Sequence, residues 1–217
     1  MCVYKYILVV CEGGSEERYI KVLKKFFREY TDKQIVTIMS SNLCGGITVS
    51  NYISRIKDAL KSVKGDFDEL CIWLDVDLFK RKYNNLSLEE IKEMCQQEIN
   101  RALVNLPRGL RVANLPVKLC FNYMNGEDFL SMCHGGDVVM LWQDFCEQNN
   151  HFINPMVAAF YKGEADRIIP CKTGDECWLD FQNIENIKNL ISCNENLDIK
   201  FSSDFVDFIS KLVDETI

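Results

Sequence analysis

The sequence predicts an α/β protein in which a mainly parallel four-stranded sheet is flanked by helices and followed by a helical C-terminal extension. Three observations predict it. Four short apolar runs read as buried strands, stretches of helical spacing lie between them, and turn residues or acids punctuate the junctions. Strands alternating with helices of this length imply βαβ units, which favour parallel pairing.

The first run, Lys5–Cys11, ends on Glu12-Gly13-Gly14, as a buried strand entering a tight turn would. Tyr19, Ile20, Leu23, Phe26, Phe27 and Tyr30 then share one helical face, with Lys21, Lys24, Lys25 and Arg28 opposite. Residues 35–39 form the second run. After Gly45-Gly46, Val49, Tyr52, Ile53, Ile56, Leu60 and Val63 fit one face of a second helix. The third run, Glu69–Leu74, leads directly into Asp75-Val76-Asp77, and the charged stretch Lys80-Arg81-Lys82 reads as a solvated loop. Ser87 and Glu90 have the spacing of a capping box, the stripe from Ile91 to Leu106 continues that helix, and Pro107 stops it. The fourth strand is expected over 117–121, a short helix over 127–133 and another helical stretch over 138–146. Residues 184–191 and 205–213 also have helical spacing. We therefore divide the chain into an α/β domain, 1–151, and an extension, 152–217, packed on it.

Composition narrows the function classes. Apolar residues make up 47% and charged residues 26% of the 217, a globular balance. No run approaches the ~20 apolar residues of a membrane span. The N-terminal run has no basic leader and ends on a turn, so a buried strand is expected there rather than a signal peptide. The 11 cysteines contain no CxxC pair and several sit inside apolar runs, which predicts reduced thiols and a cytoplasmic location. A net charge of −7 argues against broad electrostatic binding of nucleic acid, while leaving room for a local basic patch. Only His134 and His151 are present, which disfavours mechanisms built on several histidines.

Ligands of open parallel sheets bind beyond the carboxyl ends of the strands. Glu12 follows the first strand, and Asp75 and Asp77 follow the third. If those strands are neighbours, three carboxylates converge, and their repulsion calls for a hard divalent cation such as Mg²⁺ or Mn²⁺. The one-residue gap would direct Asp75 and Asp77 to one side of an extended segment and Val76 toward the core.

The segment Cys11-Glu12-Gly13-Gly14-Ser15-Glu16-Glu17-Arg18-Tyr19 after a first strand, with Leu74-Asp75-Val76-Asp77 after a third, resembles the Toprim fold, and among its branches the RloB-like proteins. The residues 122–134, from Asn122 through Glu127 and Phe129 to His134, resemble a downstream segment of that family, although the usual Asn-Pro is missing and the acid precedes the aromatic. The resemblance implies a Toprim/Rossmann-like sheet and a metal-dependent nuclease acting on DNA or RNA in phage defence. It implies Asp75, Asp77 and Glu127 as metal ligands, and Glu12 as general acid/base or ligand. Lys80, Arg81, Lys82, Gly13 and Gly14 would contact phosphates of the nucleic-acid substrate. Glu16 matches the family motif, whereas Glu17 suits the first turn of a helix. No GxxxxGK[ST] is present, so an ATPase would be a separate partner chain; a homo-oligomer also fits this reading. Two other functions suit the same residues: a regulatory module of a defence system whose acids are vestigial, and a nucleotide-sugar or phosphoryl transferase using the Asp-x-Asp.

Overall fold

The computed structural model describes residues 3–13, 16, 17, 20, 21, 23, 24, 27, 34–43, 46–104, 115–123, 188, 191, 192, 194–196 and 202–216. Its centre is a four-stranded, wholly parallel sheet of order β2-β1-β3-β4, with β1 at Val3–Cys11, β2 at Gln34–Asn42, β3 at Glu69–Asp75 and β4 at Val117–Asn122. Strand β1 pairs with β3 in the register Ile7↔Glu69 to Cys11↔Trp73, which sets the first and third strands side by side. The seven described residues between β1 and β2, from Glu16 to Phe27, are helical, and Ile20, Leu23 and Phe27 are buried.

Both central strands are apolar on their two faces, as strands covered by helices must be. On one face Leu8, Val10, Leu70, Ile72, Leu74, Leu119 and Phe121 pack against α1, Tyr52–Ser62, and α3, Leu88–Val104. Tyr52, Ile56 and Leu60 of α1 and Ile91, Cys95, Ile99 and Leu103 of α3 supply the helix side of that core. The expected capping box opens α3: Ser87 Oγ accepts from the Glu90 N–H at 3.2 Å, and the Glu90 carboxylate accepts from the Ser87 N–H at 2.7 Å.

The second face carries Trp73 and is met by α4, Asp204–Thr216. The Trp73 indole stacks on the Phe205 ring with centroids 3.8 Å apart, and the Lys118 ammonium lies 4.9 Å above the Phe208 ring. Among the described residues β4 is the last strand of the sheet, and residues before and within α4 engage it. The Tyr123 N–H donates to the Ser202 carbonyl, and the Phe121 N–H to the Asp204 carboxylate. Asp204 also accepts from Lys92 of α3 at 2.8 Å and from the Tyr123 hydroxyl at 3.2 Å.

Two sequence expectations are corrected. The segment after Asp75 is not extended: Val76 has α-helical angles, and Asp77–Lys82 forms a short helix, α2. Lys80, Arg81 and Lys82 therefore lie on a helix rather than a loop. The missed signal is Val76, Phe79 and Tyr83, whose spacing sets Val76 and Phe79 into the core. The helical stretches expected over 127–133 and 138–146, and Gly14, Glu127, His134 and His151, lie outside the described residues, as does all but a little of 184–191. Among the described residues no helix is long and apolar enough to cross a membrane. Cys11, Cys71, Cys95 and Cys120 are buried free thiols, the state their apolar surroundings predict.

Candidate functional site

In an order β2-β1-β3-β4 the chain winds outward from β1 in one direction and from β3 in the other, so the crevice between their carboxyl ends is the topological switch point. Glu12 leaves β1 at that point and Asp75 ends β3 beside it. Their meeting is direct, since the Glu12 carboxylate accepts from the Asp75 backbone N–H at 3.2 Å. The parallel β1–β3 register thus joins two acids separated by 63 positions in the chain.

The Asp75 carboxylate is held from the other side. Asp75 and Asn122 are register partners on β3 and β4, and the Asn122 Nδ2 donates to Asp75 Oδ1 at 2.8 Å. Asn122 is itself fully buried. Its Oδ1 accepts from the Trp73 Nε1–H at 3.0 Å and from Ser203 Oγ at 2.6 Å.

Asp77 is placed differently. It occupies the first turn of α2, where an acid suits the helix dipole, and reaches Arg81 one turn on at 3.5 Å. Because Val76 turns helical, Asp75 and Asp77 do not project as alternate residues of one strand. Phe79 anchors α2 in the core, 5.1 Å from the Tyr52 ring and 5.6 Å from the Phe121 ring, so α2 begins at a fixed point beside the β3 end.

The turn after β1 has an evident structural purpose. The Glu17 N–H donates to the Gly13 carbonyl at 3.2 Å, and the buried Glu16 carboxylate accepts from the Gly13 N–H at 2.9 Å. Gly13 thus serves the helical residues Glu16 and Glu17 with both its carbonyl and its N–H, and the Glu16 contact is the one a capping-box acid makes. A Cβ at Gly13 would meet Glu16 Oε2 at 3.0 Å, so a larger residue there would press on the carboxylate that closes the turn. The Gly13 N–H expected to face phosphate is engaged by Glu16. Glu17 accepts from Asn42 Nδ2 at 3.3 Å and pairs with Lys21, which ties this helix to the end of β2.

The basic trio is also divided. Lys80 donates to the Tyr123 carbonyl, with burial lowering its pKa against the opposing charge of Asp77. Arg81 and Lys82 are exposed, Arg81 on Asp77 and Lys82 over the Tyr83 ring. Trp73 is a core residue whose indole N–H is also a donor in the network behind Asp75. Sequence reasoning named Asn122 only as the start of the family-like segment, with no contact to Asp75, and assigned nothing to Ser203; a polar Asn closing an apolar strand was the available signal.

Glu12 and Asp75 are the residues here that could hold a hard divalent cation. Glu12 and Asp75 offer carboxylate oxygens at one junction, and Mg²⁺ is commonly held by one or two carboxylates. Among the described residues no group of three or more His, Cys, Asp or Glu stands ready to enclose a metal, so these residues do not form a closed cage of the structural-zinc type. No family model, curated protein or solved structure matches the chain.

Proposed function

We propose that the chain is a Mg²⁺- or Mn²⁺-dependent phosphodiesterase of the Toprim type, hydrolysing DNA or RNA, with its centre at Glu12 and Asp75. The observation that carries this reading is the contact of Glu12 with the Asp75 N–H at the switch point of a parallel sheet. The resemblance of residues 11–19 and 74–77 to that fold points the same way, and the phage-defence setting is carried by the resemblance to the RloB-like branch alone.

Each residue has a chemical task. Asp75, fixed from both sides, supplies a ligand oxygen in a set direction. Glu12, half-buried just past the end of β1, takes the proton of an attacking water, or supplies a second ligand oxygen. Asp77 joins them by turning from Arg81. That exposed pair is worth at most about 1 kcal/mol, so re-aiming the side chain costs little. When bound, the cation polarises the phosphodiester and stabilises charge developing on its oxygens. Exposed Arg81 and Lys82 would meet phosphates flanking the scissile bond. Glu127 and Gly14, which the family resemblance adds, belong to the same proposal.

The test is cleavage of plasmid, single-stranded DNA and total tRNA by the purified chain with Mg²⁺ or Mn²⁺. Metal-dependent cleavage that falls on the order of 100-fold or more in Glu12→Gln and in Asp75→Asn is expected. Equal cleavage by both variants would place the chemistry elsewhere. Neither cleavage nor Mn²⁺ binding would favour the regulatory module, to which the Asp77–Arg81 pair and the net charge of −7 already lend some weight.

A further inference from the structure

Asn122 makes three side-chain hydrogen bonds beside the site. An amide has unlike ends, and its environment decides which way it faces. An indole N–H can only donate, so the Trp73 contact at 3.0 Å requires the Asn122 oxygen on that side. The Ser203 hydroxyl meets the same oxygen at 2.6 Å. The amide nitrogen is thereby turned to Asp75, which it reaches at 2.8 Å. The orientation follows from the chemistry of the partners, which removes the usual ambiguity of an Asn flip.

Ser203 is in turn held by both of its backbone polar groups. Asn194 Oδ1 accepts from the Ser203 N–H at 2.7 Å, and Asn194 Nδ2 donates to the Ser203 carbonyl at 3.2 Å. The same Nδ2 donates to Asp207 of α4 at 2.8 Å. Asn194, Ser203 and Asn122 are all buried. A chain of fixed hydrogen bonds therefore runs from the C-terminal region through β4 to one oxygen of Asp75.

We infer that Asn122 is a positioning residue for Asp75, and that Ser203 of the C-terminal region completes it by fixing the amide. The inference rests on the metal site proposed at Glu12 and Asp75. Its physical basis is the cost of orienting a ligand. A carboxylate with one oxygen already bonded presents the other in a fixed direction and loses little freedom when a cation arrives. Partners behind a metal ligand typically change affinity by about 10–100-fold when removed. On this reading the C-terminal residues serve the site without touching substrate.

Mn²⁺ titrated into the full chain, with free ion read by electron paramagnetic resonance and the thermal midpoint recorded alongside, tests it. Asp75→Asn reports on the metal site itself. Asn122→Leu removes the donor to Asp75 at similar volume, and Ser203→Ala removes one anchor of the amide while leaving Asn122 in place. The expected result is Mn²⁺ affinity about 10–100-fold weaker in Asn122→Leu. Ser203→Ala should weaken it about three- to tenfold, and Ser203→Thr, which keeps the hydroxyl, should restore it. Wild-type affinity of the folded protein in Ser203→Ala and Asn122→Leu, with binding lost in Asp75→Asn, would overturn the inference and leave the metal site standing. If Asn122→Leu does not fold, the Ser203→Ala and Ser203→Thr pair decides alone. Absence of Mn²⁺ binding by the wild type, or unchanged binding by Asp75→Asn, would remove the metal site and this inference with it.

Discussion

On one face of the sheet, Leu8, Val10, Leu70, Ile72, Leu119 and Phe121 meet the apolar stripes of α1 and α3. On the other, at the carboxyl ends of β3 and β4, Trp73, Asn122 and Ser203 form a buried polar network that ends on Asp75. The side chains of both sets except Asp75 are buried, but they are stabilised differently. Burial of an aliphatic side chain contributes about 1.5–3 kcal/mol and demands only shape. A buried hydrogen bond contributes about 1 kcal/mol net and demands direction, because leaving a partner unsatisfied costs more than the bond supplies. The apolar face is thus suited to holding the sheet together. The polar network is an expensive way to add stability and an effective way to fix one carboxylate.

The comparison is sharpened most by a substitution on the apolar face. Leu60→Ala in α1, fully buried and remote from Asp75, should lower stability by about 2–5 kcal/mol in urea unfolding. The Mn²⁺ affinity of the folded protein should not change. A loss of affinity in that variant would show that the two faces are not separable.

Asp204→Ala acts on the other face and should cost about 1–3 kcal/mol, because the Lys92 ammonium, the Phe121 N–H and the Tyr123 hydroxyl lose a shared acceptor. Here affinity should fall with stability, since Asp204 adjoins Ser203 and orders the same segment against β4. Unchanged Mn²⁺ affinity would indicate that α4 can loosen without disturbing the network.

The smallest effect concerns the polar anchor of the apolar face, the Tyr52 hydroxyl that donates to the Glu98 carboxylate. Burial, and then that hydrogen bond, raise the Tyr52 pKa. The unfolded chain ionises Tyr52 near about pH 10 while the folded chain keeps its proton, so the stability linked to this proton is complete below that pH and is lost as pH rises beyond it. Tyr52→Phe should be about 1 kcal/mol less stable at pH 7, and the gap should narrow above about pH 10. A gap that stays constant through alkaline unfolding would mean the hydroxyl does not hold its proton as the geometry requires.

The apolar face was largely legible in the sequence. Runs of consecutive apolar residues and stripes at helical spacing are local signals, and the strands at Val3–Cys11, Glu69–Asp75 and Val117–Asn122 fall where those signals stand. So do α1 and α3, the latter opened by the Ser87–Glu90 capping box that was visible as a spacing. Helix α4 likewise matches its stripe. The candidate acids Glu12 and Asp75 were legible as strand-end residues, for the same local reason.

Three things were decided only by the tertiary structure. That β1 and β3 are neighbours is a matter of pairing between distant segments, which no local pattern specifies, and it alone brings Glu12 to Asp75. The course of the chain after Asp75 was decided by burial. Val76 and Phe79 gain more by entering the core through a helical turn than an extended segment would allow, and Asp77 is carried round toward Arg81. The partners of Asn122 come from β3 and from a segment 81 positions later, so its role depends on a register and a docking that the sequence does not display. Periodicity reports which side of an element faces inward; which polar group waits there is a property of the assembled fold.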